Sequence, residues 1–130
     1  MFIDASALPA ILLAEPDADQ MADAIEKAHR RYTSPIALFE TIASLMSKKD
    51  LPRDLAEEQV HVLLSASAIE TVAITDAIGR MAVDAFDRYG KVRRHPAQLN
   101  MGGCFAYARA KARGTFILYK GADFAQTDLA

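Results

Sequence analysis

Three acidic residues stand where carboxylates can do chemistry: Asp4, Glu40 and Asp123. Asp4 follows the apolar run Met1-Phe2-Ile3, which places it at the C-terminal end of a short buried strand. In open α/β sheets, ligands gather at that edge. Glu40 closes the segment Ser34-Pro35-Ile36-Ala37-Leu38-Phe39-Glu40, early in a helix, and Asp123 follows Gly121-Ala122 just after an apolar strand. Carboxylates far apart in a chain meet when each ends a parallel strand or opens the next helix. Clustered, they offer the oxygen ligands that a hard cation such as Mg²⁺ prefers. Such a cation neutralises a phosphodiester and lowers the pKa of bound water, the chemistry of metal-assisted hydrolysis. Each acid also has an ordinary reading. Asp4 can cap the helix that follows it, Glu40 can be solvated on a helix face, and Asp123 can stabilise a turn.

The elements that must position these acids follow from the alternation of short apolar runs with helical patterns, which implies βαβ units and a mainly parallel sheet. Met1 to Asp4 reads as the first strand, Ala5 to Ala14 as a helix with Pro9 in its early turns, and Asp17 as the cap of a helix reaching His29. Arg31 to Thr33 forms a second strand. Ser34-Pro35 pairs an N-cap with proline at the first helical position. The spacing predicts that this helix runs to about Ser47 and buries Ile36, Phe39, Ile42, Ala43 and Met46. Another helix opens at Leu51-Pro52-Arg53-Asp54 and carries Leu55, Val60, Leu63 and Leu64. Ile69 to Ile74 holds a third strand. Thr75-Asp76 caps a helix with Ile78, Met81, Ala82, Ala85 and Phe86. After the basic stretch Tyr89 to His95, a helix starts between Pro96 and Gly103 and ends at Gly114, a natural C-cap. Phe116 to Tyr119 is the fourth strand.

The 130 residues are 52% hydrophobic, which suits one globular domain spanning 1–130, with a radius of gyration of roughly 14 Å. The single cysteine allows no internal disulfide and fits a reducing cytoplasm. No signal peptide and no apolar run of membrane-spanning length are expected. The net charge is −2, so nucleic-acid binding would need a local patch. The basic cluster is Lys91, Arg93, Arg94 and His95, extended by Arg109 and Lys111. It reads either as a solvated loop or as a phosphate contact. His29 and His61 lack metal-ligand spacing, and Cys104 between apolar neighbours reads as a buried thiol rather than a nucleophile. A phosphatase of the haloacid-dehalogenase type needs a second aspartate two residues after the first, where this chain has Ser6.

Several segments together carry a resemblance. Met1 to Ser6, Ser34 to Glu40, Leu99 to Lys111 and Lys120 to Asp128 resemble the PIN-domain ribonucleases, most closely the VapC toxins of type II toxin–antitoxin pairs. The resemblance covers nearly the whole chain. It implies a PIN-like three-layer α/β fold, with a short, mainly parallel sheet of four to five strands flanked by helices. It implies a Mg²⁺- or Mn²⁺-dependent endoribonuclease with Asp4, Glu40 and Asp123 as catalytic and metal-binding residues. Asp128 in Gln126-Thr127-Asp128 is a further candidate ligand. Ser6 and Asn100 are implied as supports behind the ligands, and Arg93, Arg94 and His95 as RNA contacts. RNA, such as tRNA or rRNA loops, is the implied substrate. A VapB-type antitoxin and a second copy in a homodimer are the implied partners, in the cytoplasm and without a membrane. One position departs from the family. Where it writes Leu-Asn-x-Gly-Asp-Cys, this chain reads Leu99-Asn100-Met101-Gly102-Gly103-Cys104, so Gly103 replaces an active-site aspartate. That departure implies an attenuated nuclease, or an inactive PIN domain that keeps dimerisation and antitoxin binding.

Overall fold

Four two-residue strands form one parallel sheet in the computed structural model, which describes residues 1–129; Ala130 and the side chain of Arg93 lie outside the described residues. The strands are β1 (Phe2–Ile3), β2 (Tyr32–Thr33), β3 (Glu70–Thr71) and β4 (Ile117–Leu118), in spatial order β3-β2-β1-β4. Phe2 stands opposite both Tyr32 and Ile117, and Ile3 opposite Leu118. The hydrogen-bonding continues one residue past β1, because Asp4 N–H donates to Leu118 O at 3.0 Å. Asp4 is therefore fixed at the C-terminal edge of a central strand.

Six helices flank the sheet: α1 (Ala7–Leu12), α2 (Ala18–Lys27), α3 (Pro35–Lys48), α4 (Arg53–Ala66), α5 (Asp76–Tyr89) and α6 (Met101–Arg113). Strand alternation separates two cores. Phe2 and Tyr32 pack with α5 and α6 through Ile78, Ala82, Ala85, Ala106, Tyr107 and Ala110. Ile3 packs on the other face with Leu8, Met21 and Ile25 of α1 and α2. A smaller cluster of Leu45, Ala56 and Val60 closes α3 against α4. Among the described residues, no helix is long and apolar enough to cross a membrane.

The starts and stops are chemically explicit. Ser34 Oγ accepts from Ala37 N–H with Pro35 at the first helical position of α3, and Thr75 Oγ1 accepts from Ile78 N–H at the start of α5. Gly114 ends α6 in the left-handed conformation, with φ 60°, as a C-terminal glycine can at no steric cost. Within α3 the expected buried face is corrected. Phe39 is 73% and Met46 40% exposed, and Ala43 is exposed too. The buried positions are Ala37, Thr41 and Leu45, with Leu38 and Ile42 packed beside them. Thr41 is tolerated there because its hydroxyl donates to Ala37 O at 2.8 Å. On α4 and α5, Leu55 and Phe86 likewise face outward.

The entry to α6 depends on Gly90. Its N–H donates to Phe86 O to end α5, and it bridges Leu99 in parallel fashion while Leu99 N–H donates to Tyr89 O at 2.8 Å. Leu99 is fully buried and immediately precedes the cap of α6. A Cβ on Gly90 would overlap the Phe86 carbonyl oxygen and ring. Gly90→Ala is expected to destabilise the protein by about 1–3 kcal/mol, the usual range for overpacking. Urea unfolding checks this; an unchanged midpoint would show that the α5–α6 connection shifts without cost.

Candidate active site

The C-terminal edge of the sheet opens into a cavity of about 420 Å³, and Asp4, Glu40 and Asp123 all line it. Strand β1 delivers Asp4, the second turn of α3 delivers Glu40, and the segment after β4 delivers Asp123. Gly103 and Asn100 from the start of α6 complete that wall.

Asp4 is 8% exposed, and burial is the main force pushing its carboxyl above the usual range, with a smaller push from the Asp123 charge. Hydrogen bonds oppose that push. Oδ2 accepts from Ser6 N–H at 3.0 Å and from Ser6 Oγ–H at 2.6 Å. Ser6 Oγ in turn accepts from Lys120 N–H at 2.9 Å, which ties the exit of β4 to the Asp4 carboxylate. Glu40 is raised too, first by burial and then by the Asp4 charge. Its carboxylate lies against Gly102, where any Cβ would overlap it. The first turn of α6 thus supplies the favourable end of a helix dipole to an acid.

The two adjacent glycines differ in what surrounds them. Gly102 is required by the approach of Glu40. A Cβ on Gly103 would meet Asn100 Oδ1 at 3.3 Å and Leu99 Cδ2 at 3.4 Å, so a side chain fits with a small adjustment. Asn100 Oδ1 caps α6 by accepting from Gly103 N–H at 2.8 Å.

Four further polar residues on the cavity wall are not among the candidates read from the sequence: Glu15, Ser44, Lys48 and Lys120. Glu40, Ser44 and Lys48 stand four residues apart, a helical-face signal legible in the sequence. Lys120 Nζ pairs with Glu15 and lies 3.3 Å from Asp17 Oδ1, an ion-pair contact that leaves Asp17 Oδ1 without a hydrogen bond. The hydrogen bond to Glu15 is the main cause holding the Lys120 ammonium above its usual range.

The remaining candidates stand elsewhere. Asp128 does not line the cavity; it accepts from Tyr107 Oη at 2.6 Å and Lys111 Nζ at 2.8 Å. Those bonds, led by Lys111, lower its carboxyl pKa and fasten the C-terminal segment to α6. His95 packs edge-on against Tyr89 and accepts from Ala97 N–H, and Arg94 is exposed on a left-handed turn. The Arg93 side chain lies outside the described residues.

The donor set around Asp4 is all hard oxygen, which suits Mg²⁺ or Mn²⁺ rather than a softer metal. Among the described residues, no group of three or more histidine, cysteine, aspartate or glutamate side chains is arranged to hold a metal ion. Asp4 with one neighbouring acid still fits Mg²⁺, which binds through one or two carboxylates and keeps several waters.

A parallel sheet with carboxylates at its C-terminal edge is the arrangement of a PIN domain, and residues 1–129 match that domain. Among its relatives, a VapC ribonuclease of Rhizobium meliloti is 39% identical, with 98% of each chain covered. Ribonuclease VapC30 of Mycobacterium tuberculosis is 38% identical over 100% of this chain and 96% of its own. The chain belongs to the VapC ribonuclease family of PIN domains. The fold agrees with two solved structures. One is VapC20 of Mycobacterium tuberculosis, a sarcin-ricin loop cleaving toxin, with a TM-score of 0.74, 14% identity, and 95% of this chain and 92% of that one covered. The other is a toxin–antitoxin complex from Klebsiella pneumoniae, with a TM-score of 0.73, 16% identity, and coverage of 98% and 92%.

Two substitutions probe the site. The raised Asp4 pKa means that the folded protein binds more protons than the unfolded chain, so stability falls as pH rises from the unfolded value of 3.8 through the folded one. Asp4→Asn removes that loss. It is expected to stabilise the metal-free protein at pH 7 by on the order of 0.5–2 kcal/mol, with the gain vanishing in acid. Parallel pH profiles of the two urea midpoints would contradict this. Gly102→Ala should keep or slightly raise stability, since glycine within a helix costs about 1 kcal/mol relative to alanine. It should nevertheless displace the Glu40 carboxylate and lower activity as far as Glu40→Gln does, measured as RNA cleavage by both variants.

Proposed function

We propose that this chain is the toxin ribonuclease of a type II toxin–antitoxin pair, hydrolysing RNA phosphodiesters with Mg²⁺ or Mn²⁺, and attenuated by Gly103. The observation that carries this reading is the meeting of Asp4, Glu40 and Asp123 on one cavity wall from three distant segments. Asp4, Glu40 and Asp123 are the acids from which the one or two carboxylate ligands of the cation would come, with Asp4 at their centre. When bound, the cation would supply charge neutralisation at the phosphate and activation of the attacking water. Ser6 fixes the orientation of Asp4 through both of its donors, and Asn100 holds the first turn of α6 in place beside Glu40. Burial keeps water from screening the Asp4 charge, which strengthens its interactions, while Glu40 is half-buried and Asp123 is exposed on the cavity wall. Asp128, tied to Tyr107 and Lys111, serves to anchor the C-terminal segment rather than as a direct ligand.

The partners follow from the same family. RNA is the substrate, a VapB-type antitoxin is the inhibitor, and a basic side chain of that antitoxin is suited to relieve the mutual repulsion of the acids. A homodimer would cover the exposed apolar residues Val83, Phe86 and Met101 beside α5 and α6. Arg94 on its exposed turn is available for contact with the RNA backbone. The cytoplasm is the compartment that such a toxin requires to reach its RNA.

Incubation of the purified protein with RNA, with and without Mn²⁺, tests the reading. Cleavage is expected to be weak, to require the metal, and to vanish in Asp4→Asn and Asp123→Asn. Gly103→Asp is expected to raise it by at least about 10–100-fold, since even losing an outer support of a metal site has an effect of that size. Added Mn²⁺ should stabilise the Gly103→Asp protein more than the present one. Equal cleavage by the two forms would show that Gly103 is not a missing ligand.

A further inference from the structure

The cavity extends well past the three acids. Glu40, Ser44 and Lys48 occupy one stripe of α3, and all three line the same cavity, with Pro9 of α1 also on its wall. Eight helical residues separate Glu40 from Lys48, about 12 Å along the helix axis. A nucleic-acid strand advances by roughly 3.4 Å per phosphate when stacked in a duplex. The far end therefore lies more than one nucleotide from the carboxylates.

The charges along this wall are unevenly matched. Among the described residues, Asp4, Glu15, Glu40 and Asp123 face two cations on this wall, Lys48 and Lys120. Lys120 is committed to Glu15 and Asp17. Among the described residues, Lys48 has no ion pair. Its ammonium also complements the C-terminal dipole of α3. Lys49 does the same while donating to Leu12 O, and it lies outside the cavity lining. A dipole role therefore does not account for a lysine placed on the wall at the acid-bearing stripe.

We propose that the Lys48 end of the cavity is a subsite for an RNA phosphate more than one nucleotide away from the cleaved one, with Lys48 as the charge contact and the Ser44 hydroxyl as a donor beside it. The proposal rests on the ribonuclease reading and adds a length requirement to the substrate. An RNA that reaches from Asp4 to Lys48 gains a contact that a dinucleotide cannot make.

Fluorescence anisotropy in EDTA tests this with single-stranded oligoribonucleotides from dinucleotide to hexanucleotide, across a salt series. Lys48→Ala is expected to weaken hexanucleotide binding by about three- to fivefold, the size of an exposed ion pair. It should also reduce the gain in affinity between dinucleotide and hexanucleotide. The slope of log K against log salt should fall by about 0.7, one phosphate contact on a single strand. Lys48→Glu should weaken binding further, while Lys49→Ala should leave it unchanged. An unchanged salt slope in Lys48→Ala would overturn the proposal, as would equal weakening at every length or an effect matched by Lys49→Ala. Adding Mn²⁺ to the same mixtures reads the parent hypothesis separately. Absence of cleavage there with the length-dependent Lys48 effect intact would remove the nuclease reading and leave the subsite standing.

Discussion

Burying a carboxylate at the end of a central strand is unfavourable unless its oxygens find donors. Asp4 meets that demand through Ser6, whose N–H and hydroxyl both reach Oδ2. The same hydroxyl accepts from Lys120 N–H, so one serine joins β1, the entry to α1 and the exit of β4. The position of Asp123, three residues after Lys120, follows from that junction. Fixing one acid thus fixes the edge on which the second appears.

Glu40 reaches the cavity by a different route. Its helix starts where Ser34-Pro35 dictates, and its carboxylate rests on the first turn of α6 because Gly102 has no Cβ to exclude it. The start of α6 is set by the Gly90–Leu99 bridge and the Asn100 cap. Two glycines distant in sequence therefore govern one approach, Gly90 by placing the helix and Gly102 by clearing its surface. Gly103 has no such steric duty, so its missing side chain leaves the cavity wall open beside the acids.

Much of this was legible before the fold was known, and the reasons are local. Strand-end acids, the Ser34-Pro35 and Thr75 helix starts and the Gly114 stop are each set by a few neighbouring residues, and each sits where the sequence implies. The buried face of α3 was misread because that helix carries apolar residues on several sides. Ile36, Leu38, Phe39, Ile42, Leu45 and Met46 satisfy more than one helical stripe, and packing against α1, α4 and α6 selects among them. Thr41 hides the true stripe, since a hydroxyl satisfied within its own helix is invisible to a hydrophobic pattern. Lys48 carries a signal in its spacing from Glu40 and Ser44 on one helical face, whereas Lys120, alone after a strand, carries none until the fold brings it to the wall.

The charge arrangement explains how an acidic chain can have nuclease relatives. With a net charge of −2 the molecule has no overall field to draw in RNA. The cavity holds its negative charge in a small space, because Lys120 and Glu15 offset each other and leave Asp4, Glu40 and Asp123 facing Lys48. Lys48 offers a polyanion one contact at the far end of the cavity, and positive charge supplied at the acids themselves would let it approach them. A divalent cation would supply that charge at the acids, and in the proposed pair a basic side chain of the antitoxin would supply it in the absence of RNA. Both would relieve the same repulsion around Asp4, so they would compete for one electrostatic need. One carboxylate cluster around a buried Asp4 would therefore answer to either source of positive charge without any change of fold.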